Sequence, residues 1–335
     1  MRLIPRRRRV FSLLAIVSAS ALTAWLEPPS ALADEHFEAT PPWLQRHVGD
    51  GDGQISEIVL QRARALYMQK VVEGSAKHPC YFAMDATRPS VAGSGSVARR
   101  FYIICEHDMS FRAISSGYGN GRRLPGANFA NGRRCAKNFS NAEGSKLTTG
   151  GGYVTAETRT SFKGYYRTRG KSVPLVRAFV QFEGEGDTAN ARERAIGGHS
   201  AVLLRGMCLR KRPDSPYANE KGYVPYGRLL NYSSGRSNGC TSWTPEDSEL
   251  IVDMIKEQPT TVSIYPEARD IEAVAKALKS RQKRSSAGVD WTATRLREIG
   301  TPKSGPKEKW EPIIARYRKA RPRPPPRPLP ICRSG

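Results

Sequence analysis

One nine-residue stretch constrains this chain more than any other: Gly235-Arg236-Ser237-Asn238-Gly239-Cys240-Thr241-Ser242-Trp243. It sets a single cysteine behind a flexible Ser-x-Gly turn, and the residues after it open a helix. Thr244 can cap that helix, Pro245 suits its first position, and Asp247 completes a capping box. The spacing predicts Cys240 just ahead of a helix N-terminus, with Gly239 allowing close backbone approach. The positive end of a helix favours thiolate over thiol. A cysteine nucleophile also needs a base. His199, in Ala195-Ile196-Gly197-Gly198-His199-Ser200-Ala201, reads as the end of a strand at a Gly-rich turn. Cysteine and histidine together are the minimum for covalent acyl transfer.

The first 33 residues read as a secretory signal. Arg2 and Arg6 to Arg9 form a basic start, Val10 to Trp25 is mostly apolar, and Ala31-Leu32-Ala33 fits a cleavage site before Asp34. Arg8-Arg9-Val10-Phe11 fits a twin-arginine route as well as an ordinary basic start. Either route exports the chain, to the periplasm or cell wall. No other long apolar run occurs, so the mature chain is expected to lack a transmembrane span. An oxidising compartment permits disulfides among Cys80, Cys105, Cys135, Cys208, Cys240 and Cys332. If Cys240 is free, at least one more is unpaired, and the spacing leaves the connectivity open. There is no C-x-x-C pair and the histidines are scattered, so neither a metal nor a cofactor is expected.

Residues 34–78 read as a Pro-containing linker and a helix from Ser56 to Val72, buried through Ile58, Leu60, Ala63, Leu66, Tyr67 and Val71. Asp50-x-Asp52-Gly53-x-Ile55 has part of a calcium-loop pattern. With Gly53 at position 6, however, Val48 and Val59 fall where oxygen ligands are needed, so an Asp/Gly turn fits better. Residues 79–267 read as the catalytic domain, mostly β with some α. Strands are expected at 81–84, 100–105, 153–157, 174–182, either side of His199, and 260–265. Residues 117–152, rich in Gly, Asn, Arg and Ser, read as irregular chain near a cleft. The forty residues between His199 and Cys240 include what reads as an inserted loop, and a helix is expected at 245–258. Residues 268–335 read as an appendage: a helix at 270–283 buried through Ile271, Val274, Ala275 and Leu278, then a disordered, basic, Pro-rich tail. Of a net charge of +23, much lies after residue 280. That tail suits an anionic cell-surface polymer. It lacks interleaved aromatics for stacking bases, so no specific nucleic acid is expected.

His199-Ser200 followed by Ser237-x-Gly239-Cys240 resembles the active-site signature of the L,D-transpeptidase (YkuD-like) catalytic domain. Gly151, Tyr153, Thr155, Glu157 and Thr158, then Arg194, Ala195, Ile196 and His199, are similar to blocks of the murein L,D-transpeptidase branch. The resemblance covers roughly residues 80–267. It implies a β-sandwich or barrel-like domain acting on peptidoglycan stem tetrapeptides. Cys240 would attack the L-centre carbonyl of the third-position diamino acid, and His199 would handle the proton. Ser237 would hold the turn, and the N–H groups of Cys240 and Gly239 would form the oxyanion hole. Arg236, Asn238, Ser200 and Gly198 would contact substrate. An amine acceptor gives a 3→3 cross-link, and water gives L,D-carboxypeptidase activity. The chain departs from the pattern at Ser242, where many members carry arginine, and at Ser200, usually glycine. A non-catalytic wall-binding or polyanion-binding secreted protein is the competing expectation.

Overall fold

An apolar run without alternation is what a strand covered on both faces requires, and all six positions of β1 (Cys80–Asp85) are buried. The computed structural model describes residues 39–231, 236–256, 258–280, 296–297, 300–322, 324–325 and 327–333, with the Arg236 side chain excepted. The signal segment and Gly235 therefore lie outside the described residues. So does most of the stretch from 281 to 299.

Two helices, α1 (Pro42–Gln45) and α2 (Glu57–Val72), precede β1. The strands β2 (Phe101–Cys105) and β3 (Ser110–Ile114) follow, then four two-residue strands: β4 (Tyr118–Gly119), β5 (Arg123–Leu124), β6 (Ala127–Asn128) and β7 (Asn138–Phe139). Next come two long strands, β8 (Gly151–Thr168) and β9 (Lys171–Gly184), then β10 (Gly197–Ser200), β11 (Val202–Lys211) and β12 (Tyr223–Asn231). The chain closes with β13 (Arg236–Ser237), β14 (Thr241–Trp243), α3 (Pro245–Ile255), β15 (Thr261–Tyr265), α4 (Ala268–Lys279), β16 (Lys303–Ser304) and α5 (Lys307–Ala320). The protein is mostly β, with 36% strand against 23% helix. Among the described residues no helix is long and apolar enough to cross a membrane.

Ten strands form one mixed sheet, in the order β14-β10-β9-β8-β15-β1-β2-β3. β12 pairs with the far half of β8, and β11 pairs with β12. Alternation sorts the side chains. Phe82, Met84, Phe101, Val180, Phe182 and Trp243 join Ile251 and Ile255 of α3 on one face. Tyr81, Ala83, Tyr102 and Ile104 join Leu60 and Ala63 of α2 and Val274 of α4 on the other. A bidentate pair, Arg62 Nη1 and Nη2 to Asp270 at 2.5 and 2.6 Å, ties α2 to α4.

Ser56 stands at the N-cap position of α2 as expected, but its hydroxyl does not cap. It accepts from Arg88 instead, at 3.2 Å. The Arg88 guanidinium also donates to the carbonyls of Gly49, Asp50 and Gly51 at 2.6, 2.6 and 3.1 Å. The loop that partly fits a calcium pattern is thus filled by a cation of the chain itself. Val59 is buried in α2 where Ile58 was expected, and Val71 is exposed. In α4, Ala277 is buried and Leu278 exposed.

Two larger expectations are corrected. The insertion after His199 is the β11–β12 hairpin, which extends the sheet beyond the core. The C-terminal segment is not a free tail where it is described. Trp310 of α5 stacks on Phe129 at 4.4 Å, and Ile314 is buried with Leu124, Phe129 and Leu147. β16 pairs with β7. Cys332 is bonded to Cys208, and Leu209 N and O bond Pro330 O and Cys332 N. Composition showed a Pro/Arg run with no core of its own. It could not show that both ends of the run are fixed.

Candidate functional site

The strand β10 contains the glycines expected to make a turn. Adding a Cβ at Gly197 would bring it 2.0 Å from Val180 O, and at Gly198 1.9 Å from the Trp243 ring. Only glycine lets β10 lie between β9 and the indole. The turn comes earlier, at Ala195, a non-glycine residue with φ +50°. That left-handed conformation is costly for alanine, and its carbonyl accepts from the Cys240 thiol at 3.3 Å.

β10 pairs in parallel with β14, Gly198 opposite Thr241 and His199 opposite Ser242. Cys240, one residue before Thr241, therefore sits across from the Gly197 end of β10, just ahead of the strand that pairs with His199. Among the described residues no hydrogen bond joins the two side chains. His199 Nδ1 bonds Ser200 O at 2.9 Å. That contact fixes the ring and leaves Nε2 as the proton acceptor. Phe179 pairs with His199 across β9 and stacks on its ring at 6.3 Å.

The turn before Cys240 is held as the sequence suggested. Ser237 Oγ donates to Cys240 O at 2.5 Å and accepts from Gly239 N at 3.1 Å. Gly239 has φ +125°, and a Cβ there would lie 2.9 Å from Leu147 O and Ile196 Cδ1. The second contact of Ser237 removes one expectation. With its N–H occupied, Gly239 offers no oxyanion donor, and the Cys240 N–H remains the candidate. Asn238 is exposed beside the turn. The backbone of Arg236 pairs with Tyr118. Gly198 and Ser200 alternate with His199 and turn toward Trp243, away from the His199 face. Ser200 contributes its carbonyl to the His199 ring.

The electrostatics also differ from expectation. β14 intervenes between Cys240 and α3, whose cap is as expected: Thr244 Oγ1 accepts from Asp247 N at 3.0 Å. The helix end is thus several residues away, and a terminal dipole fades within a turn. Burial pushes the Cys240 thiol up, against the opposing pull of the Gly197 N–H, Arg194 and Arg177. Burial likewise pushes the His199 imidazole down to about 4, opposed by the Ser200 carbonyl and reinforced by Arg177. At neutral pH the resting pair is thiol and neutral imidazole, not an ion pair.

Two arginines outside the predicted set flank the thiol. Arg194 Nη1 and Nη2 donate to Thr149 Oγ1 and Leu147 O at 2.5 and 2.7 Å. Arg177 Nη1 donates to Val202 O at 3.0 Å and Nε to Ser161 Oγ at 3.1 Å. Neither forms an ion pair among the described residues. Arg177 lies two residues from Phe179 on the His199 face of β9, a position that strand alternation alone could have singled out. Leu147, which contacts Arg194 and borders Gly239, is itself backed by α5 through Ile314. The C-terminal segment thus helps build the wall of the site. Cys135 is buried and takes part in neither disulfide, while Cys80 is bonded to Cys105.

Compared with family models, with curated proteins and with solved structures, the chain matches none.

Proposed function

We propose that this protein is an exported, cysteine-dependent acyltransferase of the L,D-transpeptidase type, acting on peptidoglycan stem tetrapeptides. The observation that carries the reading is a free thiol, Cys240, in the turn that leads into the strand beside a histidine whose Nδ1 is tied to a backbone carbonyl. A nucleophile, a base and a group that orients the base are the parts covalent acyl transfer needs. His199 Nε2 takes the thiol proton as Cys240 Sγ bonds the L-centre carbonyl carbon of the third-position residue. The C–N bond to the terminal D-alanine then breaks, and the imidazolium gives its proton to the leaving amine. An acceptor amine, or water, attacks the thioester and restores the thiol. A neutral resting pair suits this order, because the proton moves only when the carbonyl arrives. Arg177 and Arg194 bring positive charge next to the reacting sulfur, where a substrate with free carboxylates would sit. They supply the cation that position 242 lacks.

The fold implied by the resemblance, a sandwich or barrel-like domain, is part of the same proposal. The experiment is intact-mass analysis after exposure to a carbapenem, paired with D-alanine release from a tetrapeptide muropeptide. The wild type gains one covalent adduct and releases D-alanine, and Cys240→Ala does neither. Release that persists in Cys240→Ala refutes the assignment. A chain that pulls down with sacculi but never traps carbapenem supports the competing, non-catalytic reading.

A further inference from the structure

The β11–β12 hairpin and the far halves of β8 and β9 form an arm beyond the core. One register crosses three of its strands: Arg167 of β8 pairs with Arg228 of β12, which pairs with Arg205 of β11. Paired residues share a face, and neighbouring strands lie about 4.8 Å apart. Three exposed guanidiniums therefore stand in a row, an arrangement that like-charge repulsion disfavours. None of the three has a hydrogen bond or ion pair among the described residues. The next paired set on that face, past the bulge in β11, is Tyr165, Tyr226 and Cys208. Arg212 lies over the Tyr165 ring at 4.5 Å and Arg210 over Tyr226 at 5.3 Å. Arg169 and Lys171 add charge at the β8–β9 tip and Lys163 on the other side of the row, and residues 163–171 contain no acid. The Cys208–Cys332 disulfide fixes the basic Pro-rich strap against the same arm.

A row of unneutralised guanidiniums is built to be offset by anions, and their forked donors match carboxylates in pairs. By strand alternation, with the bulge near Thr160 taken into account, the row lies on the sheet face opposite His199. An occupant of the row leaves the thiol uncovered. We propose that the arm is the polymer-holding surface of the protein: the Arg167–Arg228–Arg205 row binds a cell-wall strand through the repeated carboxylates of its peptide stems. The choice of polymer rests on the acyltransferase reading, while the anion-binding row does not.

The test uses the full mature chain and a triple variant, Arg167→Gln/Arg205→Gln/Arg228→Gln. Co-sedimentation with isolated sacculi is measured over a range of salt, beside sacculi stripped of their free stem carboxylates by carbodiimide-coupled amidation, which leaves the cross-linked network intact. The wild type binds intact sacculi in a salt-dependent manner and stripped sacculi weakly. The variant loses at least about tenfold in affinity for intact sacculi and has a shallower salt dependence. Its melting temperature is unchanged or higher, because repulsion is removed. Unchanged binding by the variant overturns the proposal, as does equal binding to stripped sacculi. Tighter binding to a DNA oligonucleotide than to intact sacculi at the same salt also overturns it. D-alanine release from a soluble muropeptide, run in parallel, is unaffected in the variant. If the wild type shows no release, the Cys240 assignment fails while the arm is still judged on binding.

Discussion

His199 should make the protein acid-labile in a way that a single substitution removes. Its imidazole is 7% exposed, and burial takes it from 6.5 to about 4. The unfolded chain therefore binds a proton at this residue in a pH range where the folded chain does not. Stability from this group is full above pH 6.5 and is lost as pH falls toward 4. The full span is worth about 3 kcal/mol, of which roughly 2 kcal/mol has gone by pH 5. The assay is urea unfolding of the wild type and His199→Gln at pH 7, 6, 5 and 4. Every other carboxylate and histidine contributes to both proteins, so the quantity to follow is the difference between them. That difference should move by about 3 kcal/mol in favour of the variant between pH 7 and pH 4. A difference that stays flat within about 0.5 kcal/mol would show that the folded imidazole titrates near its free value. The neutral resting base would then have to be abandoned.

Gly198→Ala should destabilise by about 1–3 kcal/mol, because the new methyl meets the buried Trp243 ring; a chemical-denaturation midpoint equal to the wild type would contradict the packing of β10. Cys332→Ser opens a cross-link between residues 124 apart and should cost about 2–4 kcal/mol, measured without reductant; an unchanged midpoint would mean that the strap is not held. Ala195→Val puts a branched side chain at φ +50° and should lower stability by more than about 1 kcal/mol, whereas Ala195→Gly should be neutral or better. Arg177→Gln should raise KM for a tetrapeptide with little change in melting temperature, and an unchanged KM would remove Arg177 from the site.

Much of the fold was legible where local chemistry decides structure. Thr244 and Pro245 announced α3, alternation announced β9, and the apolar stretch Tyr81 to Met84 announced β1. Cys240, His199 and Ser237 could be picked out as candidates by residue type and order, because the residue types that a nucleophile, a base and a turn-forming hydroxyl require leave traces in sequence. The glycines of β10 misled, because a glycine required by a neighbouring indole looks the same in sequence as a glycine that makes a turn.

Other features depended on which distant segments meet. The thiol's protonation follows from burial under several strands, and spacing along the chain says nothing of that. The three-arginine row needs a register between β8, β12 and β11, which are separated by dozens of residues. The strap is fixed by a disulfide whose partners could not be chosen by counting cysteines. The sequence by itself determined the candidate reactive groups and the local elements, since both are properties of neighbouring residues. Only the tertiary structure decided their charge states, their shared faces and the arm, because these depend on desolvation and strand pairing across the whole chain.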